Sequence, residues 1–99
     1  MEHEHLVDRM MEHYEEALEE LMGAQKYAKM SEHAQRQEDK RMYATMAKQE
    51  MEHASMICAS GDRLVAEAPA EHPLHHVWER LKKHIHDWKS DIERKITAA

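Results

Sequence analysis

Glu20, Glu50 and His53 are the residues of this chain best suited to chemistry. Glu20 stands in the run Glu20-Leu21-Met22-Gly23-Ala24-Gln25-Lys26-Tyr27, and Glu50 and His53 in Glu50-Met51-Glu52-His53-Ala54. One glutamate from one helix and a Glu-x-x-His from another are half of the ligand set that holds two iron or manganese ions in a four-helix bundle. The chain holds one such half, so two chains would be needed to complete the site. Carboxylate oxygens and imidazole nitrogens suit Fe or Mn and also accept Zn.

The Glu-x-x-His spacing is not evidence by itself. Fifteen Glu and ten His in 99 residues make about one or two matches expected by chance, and two occur, Glu2/His5 and Glu50/His53. Placement separates them. Glu2 and His5 fall at a chain end, where order is poor. Glu50 and His53 share a helical stripe with Met46, Ala47, Ala54 and Ile57, and Glu20 shares one with Ala17, Ala24 and Tyr27. A charge on a buried stripe needs a partner, and a pair of cations would partner all three at once. The competing reading is a set of boundary residues at the stripe edge, or a buried Glu–His hydrogen bond.

The elements that must position these residues are helices. Alanine, Glu, Lys, Gln, Met and Leu dominate, with two Gly and two Pro, so an all-α fold in one domain over 1–99 is expected. Leu6, Met10, Tyr14, Ala17, Leu18, Leu21, Ala24 and Ala28 recur at helical spacing and predict a helix over about 4–33. The turn that follows is weakly marked and is placed near 32–37, with Ser31 a candidate cap. Tyr43, Met46, Ala47, Glu50, His53, Ala54, Ile57, Leu64 and Val65 predict a second helix over about 37–67, continuing past Gly61. Pro69 and Pro73 break the chain. Leu74, Val77, Trp78, Leu81, Ile85, Trp88, Ile92 and Ile96 then form the cleanest amphipathic stripe, over about 73–97. With the inner face of the first two helices given to a partner chain, this stripe is expected to cover an outer flank of a dimer or to form a further interface.

These residues resemble the ferritin-like, rubrerythrin-like superfamily of diiron carboxylate proteins. Glu20, Gly23 and Tyr27 match its first half-motif, Glu-x-x-(Ala/Gly)-x-x-x-Tyr, and Glu50, His53 and Ala54 its second, Glu-x-x-His-Ala. The similarity covers roughly 14–65, and the separation of the two motifs is most like the encapsulated-ferritin group. The resemblance implies an antiparallel helical hairpin, half of a ferritin-like four-helix bundle, with a third amphipathic helix added, completed by dimerisation. It implies Fe, two ions per dimer, with Glu20 a terminal carboxylate ligand, Glu50 a bridging carboxylate and His53 a terminal nitrogen ligand. Tyr27 would lie just outside the ligands as a hydrogen-bonding or redox-active neighbour. It implies a ferroxidase, an oxidoreductase acting on metal ions; the alternative is a metal-sequestering or helical interaction protein without turnover. The chain departs from the pattern in its long Trp-bearing third helix. Its terminus, Lys95-Ile96-Thr97-Ala98-Ala99, also does not match an encapsulin-docking peptide, although a shell partner is implied.

Composition removes other classes. A formal charge of −6, no basic run and few aromatic residues argue against nucleic-acid binding. No apolar run reaches membrane-spanning length, the beginning of the chain lacks a signal-peptide core, and the single Cys58 fits a reducing compartment, so a cytoplasmic location is expected; the half ligand set adds the expectation of a homodimer or higher homo-oligomer. The methionines, Met10 to Met56, suit Cu(I) in principle but are read as core filler. His72, His75, His76, His84 and His86 are read as a solvated face rather than a Zn or Ni site, with His84 at the core edge. Cys58 is read as a packing residue rather than a nucleophile.

Overall fold

The computed structural model of the chain describes residues 4–98. Three helices account for nearly all of it: α1 (Glu4–His33), α2 (Gln37–Val65) and α3 (Leu74–Ala98). No strand occurs among the described residues. Together they form a rod with Cα extents of 55 × 17 × 14 Å.

The helix α1 stops without glycine or proline, and no described residue has a positive φ. Lys40 instead reaches back across the turn, its Nζ donating to the carbonyls of Ser31 (3.4 Å) and Glu32 (3.3 Å). A cation there meets the negative end of the α1 dipole. Buried Ser31 does not cap a helix start; its hydroxyl donates to the Lys40 carbonyl at 2.8 Å and ties α1 to the first turn of α2. That turn opens at an extended Arg36 and carries Glu38 and Asp39, which suit the positive end of the α2 dipole.

The regular part of α2 closes at Val65 rather than at 67. The amides of Glu67 and Ala68 donate three residues back, to Leu64 (3.1 Å) and Val65 (3.0 Å), tightening the last turn before Pro69. Beyond it, His72 Nδ1 accepts from the Leu74 amide at 3.0 Å and so caps the start of α3. His75 bonds the carbonyls of Ala68 (3.3 Å) and Pro69 (3.0 Å). These two histidines shape the connection.

Two core clusters follow. Ala17, Leu21, Ala24, Ala28, Ala47, Met51 and Ala54 meet Ile85 and Ile92 in one; Leu6, Met10, Leu64, Val65, Ala68, Leu74 and Trp78 form the other. The α3 stripe therefore packs inside its own chain, on α1 and α2, rather than waiting for a further interface. Polar bonds fasten it at intervals: Tyr14 to His84 (2.5 Å), Trp88 to Gln25 (2.6 Å), Lys89 to Ser55 (3.0 Å) and Trp78 to Asp62 (2.7 Å). His84 is exposed and bonds at the core edge, as its place in the sequence suggested.

Gly61, four residues before the end of α2, lies under Trp78. The indole, 2% exposed, lies directly on the Gly61 backbone, and a Cβ built there would overlap the ring. On an exposed helix, Gly→Ala gains about 1 kcal/mol; here the ring is pinned by Asp62 and cannot withdraw. Gly61→Ala should therefore lower the unfolding free energy, by about 1–2 kcal/mol net of propensity, read from urea denaturation followed by helix signal.

Asp62 accepts from Trp78 and pairs with Lys82 Nζ at 2.9 Å. Burial pushes its carboxyl up, but the bonds from Lys82 and Trp78 outweigh burial and hold it below 3.8. A depressed carboxyl contributes stability above its unfolded value and loses it as pH falls through the folded one. Thermal melts between pH 5 and 2 should show this loss, and Asp62→Asn should flatten that part of the curve.

Candidate metal centre

About 100° of rotation per residue places each helix face. Leu21, Ala24 and Ala28 point from α1 into the α2 contact, while Tyr14 and Gln25 lie to one side and bond to α3. Glu20, Gly23 and Tyr27 lie to the other side. On α2, Ala47 and Ala54 face α1, Ser55 and Asp62 face α3, and Tyr43, Glu50, His53 and Ile57 face away from it. The sequence thus gives the hairpin two flanks: α3 covers one, and the other carries Glu20, Glu50 and His53.

The three side chains meet there. One ligand atom from each lies within 4.8 Å of the others, and His53 Nδ1 is 3.5 Å from Glu20 Oε2. Metal–ligand bonds of about 2.0–2.2 Å put opposite ligands about 4 Å apart, so small side-chain rotations close the set around one ion. Among the described residues no other group of three His, Cys, Asp or Glu converges in this way. His5 is exposed in the first turn of α1, and Glu2 lies outside the described residues.

The centre is not buried within the chain, in contrast to the buried stripe the sequence suggests. The His53 side chain is 54% exposed and that of Glu20 29%. Three helices in a rod this thin cannot enclose both flanks of the hairpin, and α3 has taken the other one.

Two carboxyls facing each other set the electrostatics. Hydrogen bonding with Glu20 raises the Glu50 carboxyl above its usual 4.5; burial and the negative charge of Glu20 raise it further, and His53 opposes them. Like charges at close range cannot both ionise freely, so the site favours a proton or a cation. Gly23 gives Glu50 its place. A Cβ there would come 3.1 Å from Glu50 Oε2, so a side chain at that position would press the carboxylate outward by a few tenths of an ångström.

Tyr27 makes no hydrogen bond to the three candidate ligands; it stacks on Tyr43, with ring centroids 6.4 Å apart and planes at 15°. Tyr43 enters the sequence reading only as an apolar position of the second helix. Its signal was present: Tyr27 follows Glu20 by seven residues and Tyr43 precedes Glu50 by seven. Two turns on each of two antiparallel helices lead to the same level.

The remaining candidates do not assemble. His72 and His75 are used in the α2–α3 connection. Met10 and Met51 are buried, while Met22 is exposed on α1 and Met42 and Met56 on α2. Cys58 is half-buried, and burial, ahead of nearby Asp62, pushes its thiol up, which suits packing rather than nucleophilic attack. No family model matches the chain, and no curated protein or solved structure is significantly similar to it.

A raised carboxyl has the opposite linkage to Asp62. The folded form holds its proton more tightly than the unfolded form, so stability declines as pH rises from the unfolded value through the folded one. In metal-free buffer at pH 7, Glu50→Gln should raise the unfolding midpoint and remove this decline, as thermal melts between pH 4 and 8 would show.

Proposed function

We propose that this protein binds iron at a dinuclear site completed by a second copy of the chain, and oxidises Fe(II) there with O₂ or peroxide. The observation that carries the reading is the convergence of Glu20, Glu50 and His53 on the flank of the hairpin that α3 leaves open. Two carboxylates and one imidazole leave the coordination shell of an ion incomplete. A two-fold pairing of this face with itself would bring two Glu20, two Glu50 and two His53 together, since such an interface repeats each residue on both sides. That set is the donor complement of a dinuclear carboxylate site, and the half-motif resemblance points the same way. The long helices and the absence of any strand among the described residues suit such a bundle.

Fe(II) is the substrate on this reading. Two Fe(II) supply the two electrons that, with two protons, reduce one O₂ to H₂O₂ or one H₂O₂ to two waters. The residues of the chain do the rest. Glu20 and Glu50 attract and hold the cations, their mutual repulsion relieved by the positive charge. Following the resemblance, Glu50, which lies against Gly23, would be the bridging carboxylate, and His53 and Glu20 terminal ligands. Tyr27 stands two turns, roughly 10 Å of helix rise, from Glu20 and stacks on Tyr43. It is assigned an influence on oxidation, not on binding.

Metal content and oligomeric mass, measured together on protein from iron-supplemented cells, test the assembly. Binding should saturate at one ion per chain in a dimer or a multiple of it. Glu50→Ala and His53→Ala should each abolish binding, and His5→Ala should not. Full-affinity binding by a monomer would refute the shared site. Aerobic Fe(II) should be oxidised faster than in buffer, with the activity lost in Glu20→Ala and slowed but metal-competent in Tyr27→Phe. Tight iron binding with oxidation at the buffer rate would assign sequestration instead of turnover.

A further inference from the structure

On the flank away from the candidate centre, five residues of α1 and Trp88 of α3 line a shallow, open groove of 410 Å³. Its lining is Met22, Gln25, Lys26, Lys29, Met30 and Trp88. This volume lies in the range of small-molecule sites, about 300–1,000 Å³.

Three features of the lining act together. Trp88 gives its indole N–H to Gln25 Oε1 at 2.6 Å, so the polar edge of the ring is already satisfied and what it offers the groove is apolar. Met22, 61% exposed, and half-buried Met30 add flexible thioethers that adapt to flat rings. Lys26 and Lys29, three apart and therefore neighbours on the helix surface, are exposed and have no ion-pair partner among the described residues. No acidic residue lines the groove. The groove on the opposite side of α3 is different: Lys48 and Lys89 there are matched by Glu52 and Glu93, so it favours neither sign. In a chain of net charge −6, these two cations stand beside an indole with no acidic residue in the lining.

We propose that this groove binds an aromatic acid, a flat apolar ring system with one carboxylate or sulfonate. Its rings lie on Trp88, Met22 and Met30, and its anion sits between Lys26 and Lys29. The site is independent of the carboxylate centre and does not rest on iron binding.

The dye 8-anilinonaphthalene-1-sulfonate carries both features, and N-phenyl-1-naphthylamine carries the same rings without the charge. Titration of the full chain with each, read by dye emission and by energy transfer from tryptophan, separates the possibilities. The sulfonate should bind saturably with one dye per chain, at least tenfold more tightly than the uncharged amine. The double variant Lys26→Glu/Lys29→Glu should weaken it at least tenfold while keeping the helix signal and melting midpoint. Lys48→Glu, in the mixed-charge groove, should leave it unchanged. Equal binding of the two dyes, an unchanged affinity in the double variant, a loss with Lys48→Glu, or the absence of saturable binding would each overturn the proposal.

Discussion

The contact between α1 and α2 runs along a seam of alanines, and the rest of the molecule follows from it. Ala17, Ala24, Ala47 and Ala54 are fully buried between the two helices, and Ala28 nearly so. Side-chain size at the contact sets how far apart two helix axes lie, and methyl groups set that distance short. Short separation has two consequences on the two flanks. On one, side chains rooted on different helices reach each other, which is why Glu20, Glu50 and His53 converge although thirty residues of chain separate them. On the other, apolar residues of both helices remain to be covered by a third element. Isolated helix pairs gain most of their stability from tertiary packing of an amphipathic face, and α3 provides that face with Leu74, Trp78, Ile85 and Ile92.

The two helical glycines divide along the same line. Gly61 is buried and receives the Trp78 ring, so it belongs to the flank that α3 covers. Gly23 is half-buried and receives the Glu50 carboxylate, so it belongs to the open flank. Each is unfavourable for its own helix, and each makes room for a side chain from another. A missing side chain serves packing in one place and the position of a charge in the other.

Much of this was legible in the sequence, and the limits have physical causes. The helices could be read because apolar residues recur at 3.6-residue spacing and because Pro69 and Pro73 punctuate the chain. The turn at 34–36 was hard to place because Ala34, Gln35 and Arg36 carry no turn chemistry of their own; Ser31 and Lys40 hold the ends from outside it. The spacing of Glu50 and His53, and their distance from Glu20, pointed to one cluster. Their exposure could not be read, because a stripe that faces a partner helix and one that faces the edge of a hairpin have the same periodicity. For a related reason the stripe of α3 left two places open, an outer flank or a further interface: an apolar stripe states that something must be covered, not which surface covers it. Tyr43 was passed over because an aromatic residue at an apolar position looks like core until its partner on the other helix is known.

The open flank poses a thermodynamic question that bears on the proposed assembly. At the surface of one chain the Glu20–Glu50 repulsion is tolerable, since water screens it and Glu50 can keep its proton. Carrying the same pair into an interface would remove the water, and each unpartnered ion would then cost several kcal/mol. A domain of this size has only about 5–15 kcal/mol of stability in all. Face-to-face pairing without cations is therefore opposed by the very residues that would make the site, while a cation bound to one chain alone lacks the ligands of the second. On the proposed reading the two equilibria are linked, and linkage is reciprocal: the factor by which metal tightens the pairing is the factor by which pairing tightens the metal. The half-buried position of the carboxylates in a single chain, still open to water, is thus the state such a coupling requires before either partner arrives.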